Sequence, residues 1–187
     1  MDKDGLGDVF FSGKGDSGNT CLFDGRIIAK DNPILDLIGT IDEVSAFIGL
    51  AISIIEKPEL IKDLRIIQIS LSKVMGVIAG ASESAADGFN AVDSTKWLEN
   101  KIKYYSRELD NPRSFTFSGK TTVGAALDIC RTVTRKMERQ AVGAFRENSK
   151  FENKILAYMN RLSSLFYILR LSADKSLNTS NKGKNNI

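Results

Sequence analysis

From Pro33 onward, apolar residues recur at steps of three and four, a spacing that predicts helices. Ile34, Leu37, Ile38, Ile41, Val44, Ala46, Ile48 and Ala51 predict a first helix over about 34–56. Lys57-Pro58-Glu59 breaks it, and Pro58 suits the first turn of a second helix reaching about residue 82. A small, polar stretch, 82–92, reads as a loop, after which Asp93 or Ser94 can cap a third helix to about Glu108. Leu109–Lys120 is a further connection. Thr121 or Thr122 opens a long fourth helix to about Asn148, and a fifth runs from about Phe151 to Lys175. Residues 1–32 differ: they are glycine-rich and polar, with short β-prone pieces at Val9–Phe11 and Arg26–Ile28, and read as an ordered loop with a small hairpin. Residues 176–187 are too polar to pack and read as a disordered tail. The expectation is one domain: a loop region at 1–32 and an all-α five-helix bundle at 33–175.

Composition narrows the chemistry. The chain has 187 residues and no histidine, which removes Ser-His-Asp and Cys-His catalysis and histidine-ligated metals. Its formal charge of +3 is spread along the chain, so nucleic acid is not an expected partner. Cys21 and Cys130 are far apart in sequence and read as reduced thiols of a cytoplasmic protein. The apolar stretch Val44–Ile55 is shorter than the roughly 18–20 residues that span a bilayer, so no membrane segment is expected.

Three segments can carry chemistry. In Ser12-Gly13-Lys14-Gly15-Asp16-Ser17-Gly18-Asn19-Thr20, glycines allow close backbone approach, while hydroxyls, an ammonium and N–H groups supply phosphate donors. It lacks the Walker A spacing, and alone it reads more readily as an ordinary turn than as a phosphate loop. Gly119-Lys120-Thr121 resembles the end of a P-loop, but the glycine required five residues earlier is Ser114, so that reading fails. On the fourth helix, Asp128, Arg131, Arg135 and Glu138 fall within an arc of about 80°. Two guanidiniums there would fit a polyphosphate; the plainer reading is a solvated stripe of ion pairs. On the fifth helix, Asn160 and Arg161 interrupt an apolar pattern, as a structural bridge or as ligand contacts.

Taken together, the segments resemble the PduO-type ATP:cob(I)alamin adenosyltransferases in order and spacing. That family shows T-x-x-GDxGxT, a lysine, VDELN, RTxxRRxER and NRLSD. The counterparts here are SGKGDSGNT (12–20), Lys30, IDEVS (41–45), RTVTRKMER (131–139) and NRLSS (160–164), so the likeness runs from about residue 10 to 172. Four departures stand out: Gly13 replaces a basic residue, Ser118-Gly119-Lys120 replaces PGG, Val44-Ser45 replaces Leu-Asn, and Ser164 replaces an aspartate.

The resemblance implies a five-helix bundle that assembles as a homotrimer, with ATP at the subunit interface. ATP contacts would come from Ser12, Lys14, Gly15, Asp16, Gly18, Thr20 and Lys30, and from Arg131, Arg135, Glu138 and Asn160. Asp42 would pair with Arg131 across the interface and also face the corrinoid, and Phe115 would lie beneath the corrin ring. Arg131, Arg135, Asp42 and Glu138 would form the catalytic set. The implied reaction is attack of cob(I)alamin on the ribose C5′ of ATP, giving adenosylcobalamin and tripolyphosphate. Mg²⁺ would accompany ATP, K⁺ is admitted, and no protein ligand to a metal is assigned. The partners implied are a flavoprotein that reduces cob(II)alamin and an acceptor enzyme that uses adenosylcobalamin. Two other readings stay open at this point: a phosphoryl transferase using the same loop, and a corrinoid or nucleotide carrier without turnover.

Overall fold

The computed structural model describes residues 13, 15–81, 89–110, 116–146 and 152–182, with side chains described from 154 to 175 in the last stretch. A two-stranded antiparallel hairpin comes first, β1 Asn19–Cys21 and β2 Ile27–Ala29, with Thr20 opposite Ile28. Five helices follow: α1 Pro33–Ile54, α2 Pro58–Ile78, α3 Ala91–Ser106, α4 Thr122–Phe145 and α5 Glu152–Lys182. The expected five-helix architecture is present, and β2 lies within a residue of the β-prone piece read at 26–28. The Val9–Phe11 piece lies outside the described residues.

Local chemistry sets the helix ends. Asn32 caps α1 by accepting from the Ile34 N–H, and Pro33 fills a position needing no donor. Pro58 opens α2 in the same way. That helix stops at Ile78, short of the expected 82, because Gly80 takes a left-handed φ of +81°. The α3 helix starts at Ala91, earlier than expected. Asn90, and not Asp93 or Ser94, is its cap, accepting from the Val92 and Asp93 N–H groups. Thr121 caps α4 through the Gly124 N–H, as one of its two expected starts. The α5 backbone stays helical to Lys182, past the point where composition predicts a tail.

The core is one apolar cluster from all five helices. Leu37, Ile41, Val44 and Ile48 of α1, Leu64 and Leu71 of α2, Leu98 of α3, Leu127 and Met137 of α4, and Leu162 and Phe166 of α5 are fully buried. By length and apolarity α1 could cross a membrane, yet this row is packed inside the bundle. Of the two thiols, Cys21 is exposed and Cys130 is buried, where burial pushes the thiol up to about 12.

The register of α1 against α4 positions everything that follows. Lys136 Nζ lies 3.0 Å from Glu43 Oε2, while Ile54 and Val123 line one cavity at the far end, so the two helices run antiparallel. Gln68 Nε2 donates to the Ser45 carbonyl at 2.9 Å, bringing the end of α2 back beside the start of α1. There the hairpin docks: the Phe23 N–H donates to the Ala79 carbonyl, and the Asp24 carboxylate lies against Gly80.

A buried carboxylate joins α2 to α3. Asp63 Oδ2 lies 2.7 Å from Lys101 Nζ and accepts from the Tyr105 hydroxyl at 2.8 Å. Burial, with this carboxylate beside it, pushes the Tyr105 phenol well above its usual range. Asp63→Ala leaves both donors short of an acceptor. It is expected to cost on the order of 1–3 kcal/mol, read as a lowered midpoint in thermal melts.

Candidate functional site

The sequence-predicted residues form three groups along the bundle. The first is the loop and hairpin. The Asp16 N–H donates to the Gly13 carbonyl at 3.1 Å and the Gly18 N–H to the Gly15 carbonyl at 3.3 Å, making consecutive tight turns. Gly13 and Gly18 sit at φ +66° and +83°, which glycine alone adopts without strain. The Lys30 N–H donates to the Gly18 carbonyl, folding β2 back on the loop. A Cβ on Gly15 would come within 2.9 Å of Lys30 Nζ, so the ammonium lies directly over a bare backbone position. One ammonium thus stands over bare backbone where an anion can approach closely. Asp16 is exposed and Thr20 half-buried on β1. Ser12 and Lys14 lie outside the described residues.

The second group crosses α4 and α5. Asn160 Nδ2 donates to Glu138 Oε1 at 2.9 Å, and Asn160 Oδ1 accepts from Arg161 Nη1 at 2.8 Å. Arg161 Nε reaches Glu99 of α3 at 3.0 Å. Asn160 and Arg161, which interrupt the apolar pattern of α5, thus together bridge three helices, and Glu138 is held by Asn160, whose amide has one bond at each end.

The third group lies nearer the start of α4. Arg131 Nε donates to Asp128 Oδ1 at 2.7 Å, and the other carboxylate oxygen accepts from the Ser118 hydroxyl. Burial raises the Asp128 pKa, but the hydrogen bonds from Arg131 and Ser118 and the charges of Arg131 and Arg170 outweigh it. The carboxyl is held below its usual range and stays ionised. Arg170, almost fully buried on α5, donates to Thr116 Oγ1 at 2.7 Å and to the carbonyls of Thr116 and Phe117. Its Nε stands 3.2 Å from Asp174 Oδ2, a charge pairing not aligned as a hydrogen bond. Asp174 Oδ1 in turn accepts from Thr121 Oγ1 at 3.1 Å and lies against Gly124, where no side chain would fit. The segment 116–121 is thus pinned at both ends. The Thr121 hydroxyl is engaged in capping α4, and Lys120 is exposed, in keeping with the rejected P-loop reading. Phe115 lies outside the described residues.

Arg135 is exposed on α4 and has no polar partner among the described residues. Asp42 is exposed on α1 and likewise unpartnered. It does not meet Arg131 within the chain: with Glu43 level with Lys136, Arg131 stands roughly 9 Å farther along the axis than Asp42. By the same register the Arg131 level lies about 20 Å along α1 from Pro33, the end where Lys30 and the hairpin sit. One chain brings Glu138 to Asn160 and Gly15 to Lys30, but does not bring the loop to the arginines. None of the predicted residues that are described lines a cavity of about 1060 Å³ that opens at the far end between the α1–α2 turn and the ends of α3 and α5.

Sequence reasoning missed Ser118, Arg170 and Asp174, and read Asp128 only as part of a charged shoulder. The available signal was Arg170 and Asp174, an i,i+4 charge pair on the apolar face of α5.

Among the described residues, no group of three Asp, Glu, Cys or His could hold a metal ion.

Three comparisons bear on these observations. Residues 10–173 match the model of a family described as cobalamin adenosyltransferase. The chain is 34% identical over 157 residues to the corrinoid adenosyltransferase of Bacillus subtilis (strain 168), covering 82% of this chain and 80% of that one. It is 31% identical over 173 residues to the corrinoid adenosyltransferase MMAB of Bos taurus, covering 88% and 71%. Against corrinoid adenosyltransferase PduO of Citrobacter freundii, identity is 29% over 175 residues, and the match spans 52% of that longer protein. The fold superposes with TM-score 0.82 on a variant PduO-type ATP:corrinoid adenosyltransferase from Lactobacillus reuteri complexed with cobalamin and ATP. That pair is 28% identical, with 90% of this chain and 95% of that chain covered.

The lowered Asp128 pKa has a consequence for stability. A carboxyl depressed in the native state contributes stability above its ordinary value of about 3.9 and loses it as pH falls through the native one. Asp128→Asn is expected to melt about 2–4 °C below wild type at pH 7, with the gap closing below about pH 4. Melts at pH 7 and pH 3 check this; a gap that does not change with pH contradicts it.

Proposed function

The chain belongs to the cobalamin adenosyltransferase family, and from that membership we propose how its own residues transfer the adenosyl group of ATP to a corrinoid. It is a corrinoid adenosyltransferase, and ATP and the corrinoid are its substrates. In the reaction, the cob(I) cobalt supplies the electron pair for a new Co–C5′ bond. The C5′–O bond of the ribose breaks, and tripolyphosphate departs with that bond's electrons. No proton transfer is required at the reacting carbon, which suits a chain without histidine. The protein's part is to orient ATP and stabilise charge growing on the leaving oxygen.

The observation that carries the proposal is the cationic face of α4. Among the described residues Arg131 is held by its Nε alone, which leaves both Nη amines open there, and Arg135 is exposed and unpartnered. Two guanidiniums one turn apart suit a polyphosphate chain. Lys30 over Gly15, the turns at Gly13–Gly18, and Ser12, Lys14, Asp16 and Thr20 would grip the same triphosphate from the other side. Since loop and arginines stand about 20 Å apart along one bundle, the site would be completed by a second copy, as in a homotrimer. Exposed Asp42 would then reach Arg131 of the neighbour, and Phe115 would meet the corrin ring. Glu138, held by Asn160, would accept from the bound nucleotide. Mg²⁺ would arrive on the phosphates, with K⁺ as a further companion. A cytoplasmic setting, a flavoprotein that reduces cob(II)alamin and an acceptor enzyme complete the proposal.

The test is anaerobic turnover of chemically reduced cob(I)alamin with ATP and Mg²⁺, followed by visible absorption. Wild type is expected to give light-sensitive adenosylcobalamin and tripolyphosphate, and Arg135→Ala to lose on the order of 10²–10³ in kcat. ATP binding without product from any corrinoid would overturn the reaction and leave a carrier.

Gly15→Ala is expected to leave the melting temperature within about 2 °C, since only the flexible end of Lys30 must move. It should nevertheless raise KM for ATP about tenfold by displacing that ammonium. Steady-state kinetics beside a melt check both halves.

A further inference from the structure

Among the described residues, Asp128 touches both an arginine of the proposed site and the segment leading into α4. One carboxylate oxygen accepts from Arg131 Nε and the other from the Ser118 hydroxyl. Ser118 belongs to the segment 116–121, which follows Phe115 in sequence and is anchored from below. Arg170 holds Thr116 and Phe117, and Asp174 holds Thr121. Arg131 has no other polar partner among the described residues, so within its own chain it is Asp128 that fixes the plane of its guanidinium.

We propose that Asp128 is a positioning residue for adenosyl transfer, locking Arg131 and the 116–121 segment into one rigid unit; this rests on the reading of the site given above. The chemistry favours such a role. Nε is the guanidinium nitrogen nearest the main chain, so a bond there fixes the tilt of the guanidinium plane while the two outer amines remain free for an anion. Arg131 and Asp128 lie one turn apart on the same helix, so neither moves relative to the other's backbone. The carboxylate is buried and accepts charge-assisted bonds on both oxygens, so it does not swing between partners. Arg131 thereby reaches the transition state already oriented, and the segment beside Phe115 keeps a fixed distance from it.

Kinetics of single and double variants test this. Asp128→Ala is expected to lower kcat about tenfold with KM for ATP changed less than about twofold, since orientation and not binding is lost. Asp128→Asn, which can still accept from Arg131 and donate to Ser118, should recover most of that loss. In an Arg131→Lys background, where no fork remains to be oriented, Asp128→Ala should cost less than about threefold more. Should the alanine chain not fold, Asp128→Ser replaces it, because a hydroxyl cannot reach both partners. A wild-type chain that makes no adenosylcobalamin defeats the proposed function itself. An active wild type whose Asp128→Ala form keeps its full kcat, or loses the same factor in both backgrounds, defeats the positioning role alone.

Discussion

The antiparallel register of α1 on α4 governs the molecule. Pairing Glu43 with Lys136 sets which levels of the two helices face each other, and the buried rows Leu37–Ile48 and Leu127–Met137 hold that setting. The exposed ion pair contributes little by itself; the interlocked apolar row makes a slip of one turn prohibitive. Because the hairpin is fastened to the α1 start through Ala79 and Gly80, the register also fixes how far the glycine loop stands from the arginines of α4. A site that needs both would therefore be completed between copies, as the proposed function has it, from complementary ends of the same fold.

Within that frame the chain keeps its cations in different states of readiness. Arg170 is buried and held by the Thr116 hydroxyl, the carbonyls of Thr116 and Phe117 and the charge of Asp174, so its charge serves the fold. Arg161 is engaged between Glu99 and Asn160. Arg131 is half engaged, and Arg135 is open. Charge available for a departing polyphosphate thus rises along one face of α4, while the surrounding carboxylates are committed to holding side chains in place. Nothing in this arrangement resembles an acid–base pair, and adenosyl transfer to a supernucleophilic cobalt needs none.

Much of this was legible in the sequence. Period-three-and-four spacing with Pro33, Pro58 and Thr121 at the boundaries located the helices, since those residues constrain the backbone directly. The start of α3 was misplaced because three polar residues compete to cap it, and only packing selects Asn90. The loop, Lys30, the arginines and Asn160 were recognisable as residue types in order. Their internal partners were not: Ser118 with Asp128, and Thr116 and Thr121 with Arg170 and Asp174, join positions ten to about fifty apart, and no local pattern encodes such pairings. An Asn interrupting the apolar pattern of α5 announced that it needed partners, but Glu138 and Arg161 as the answer required the fold.

The central claim is that the loop of one copy works with the arginines of another, and mixing crippled chains tests it most directly. Lys30→Ala removes the loop ammonium and Arg135→Ala the open guanidinium, and each chain alone should be nearly inactive. Co-assembled from a mixture, some interfaces pair an intact loop with intact arginines. The account predicts that adenosylcobalamin formation returns well above the level of either chain by itself. Activity that stays at the level of the separate variants, in oligomers shown to contain both chains, would contradict a shared site.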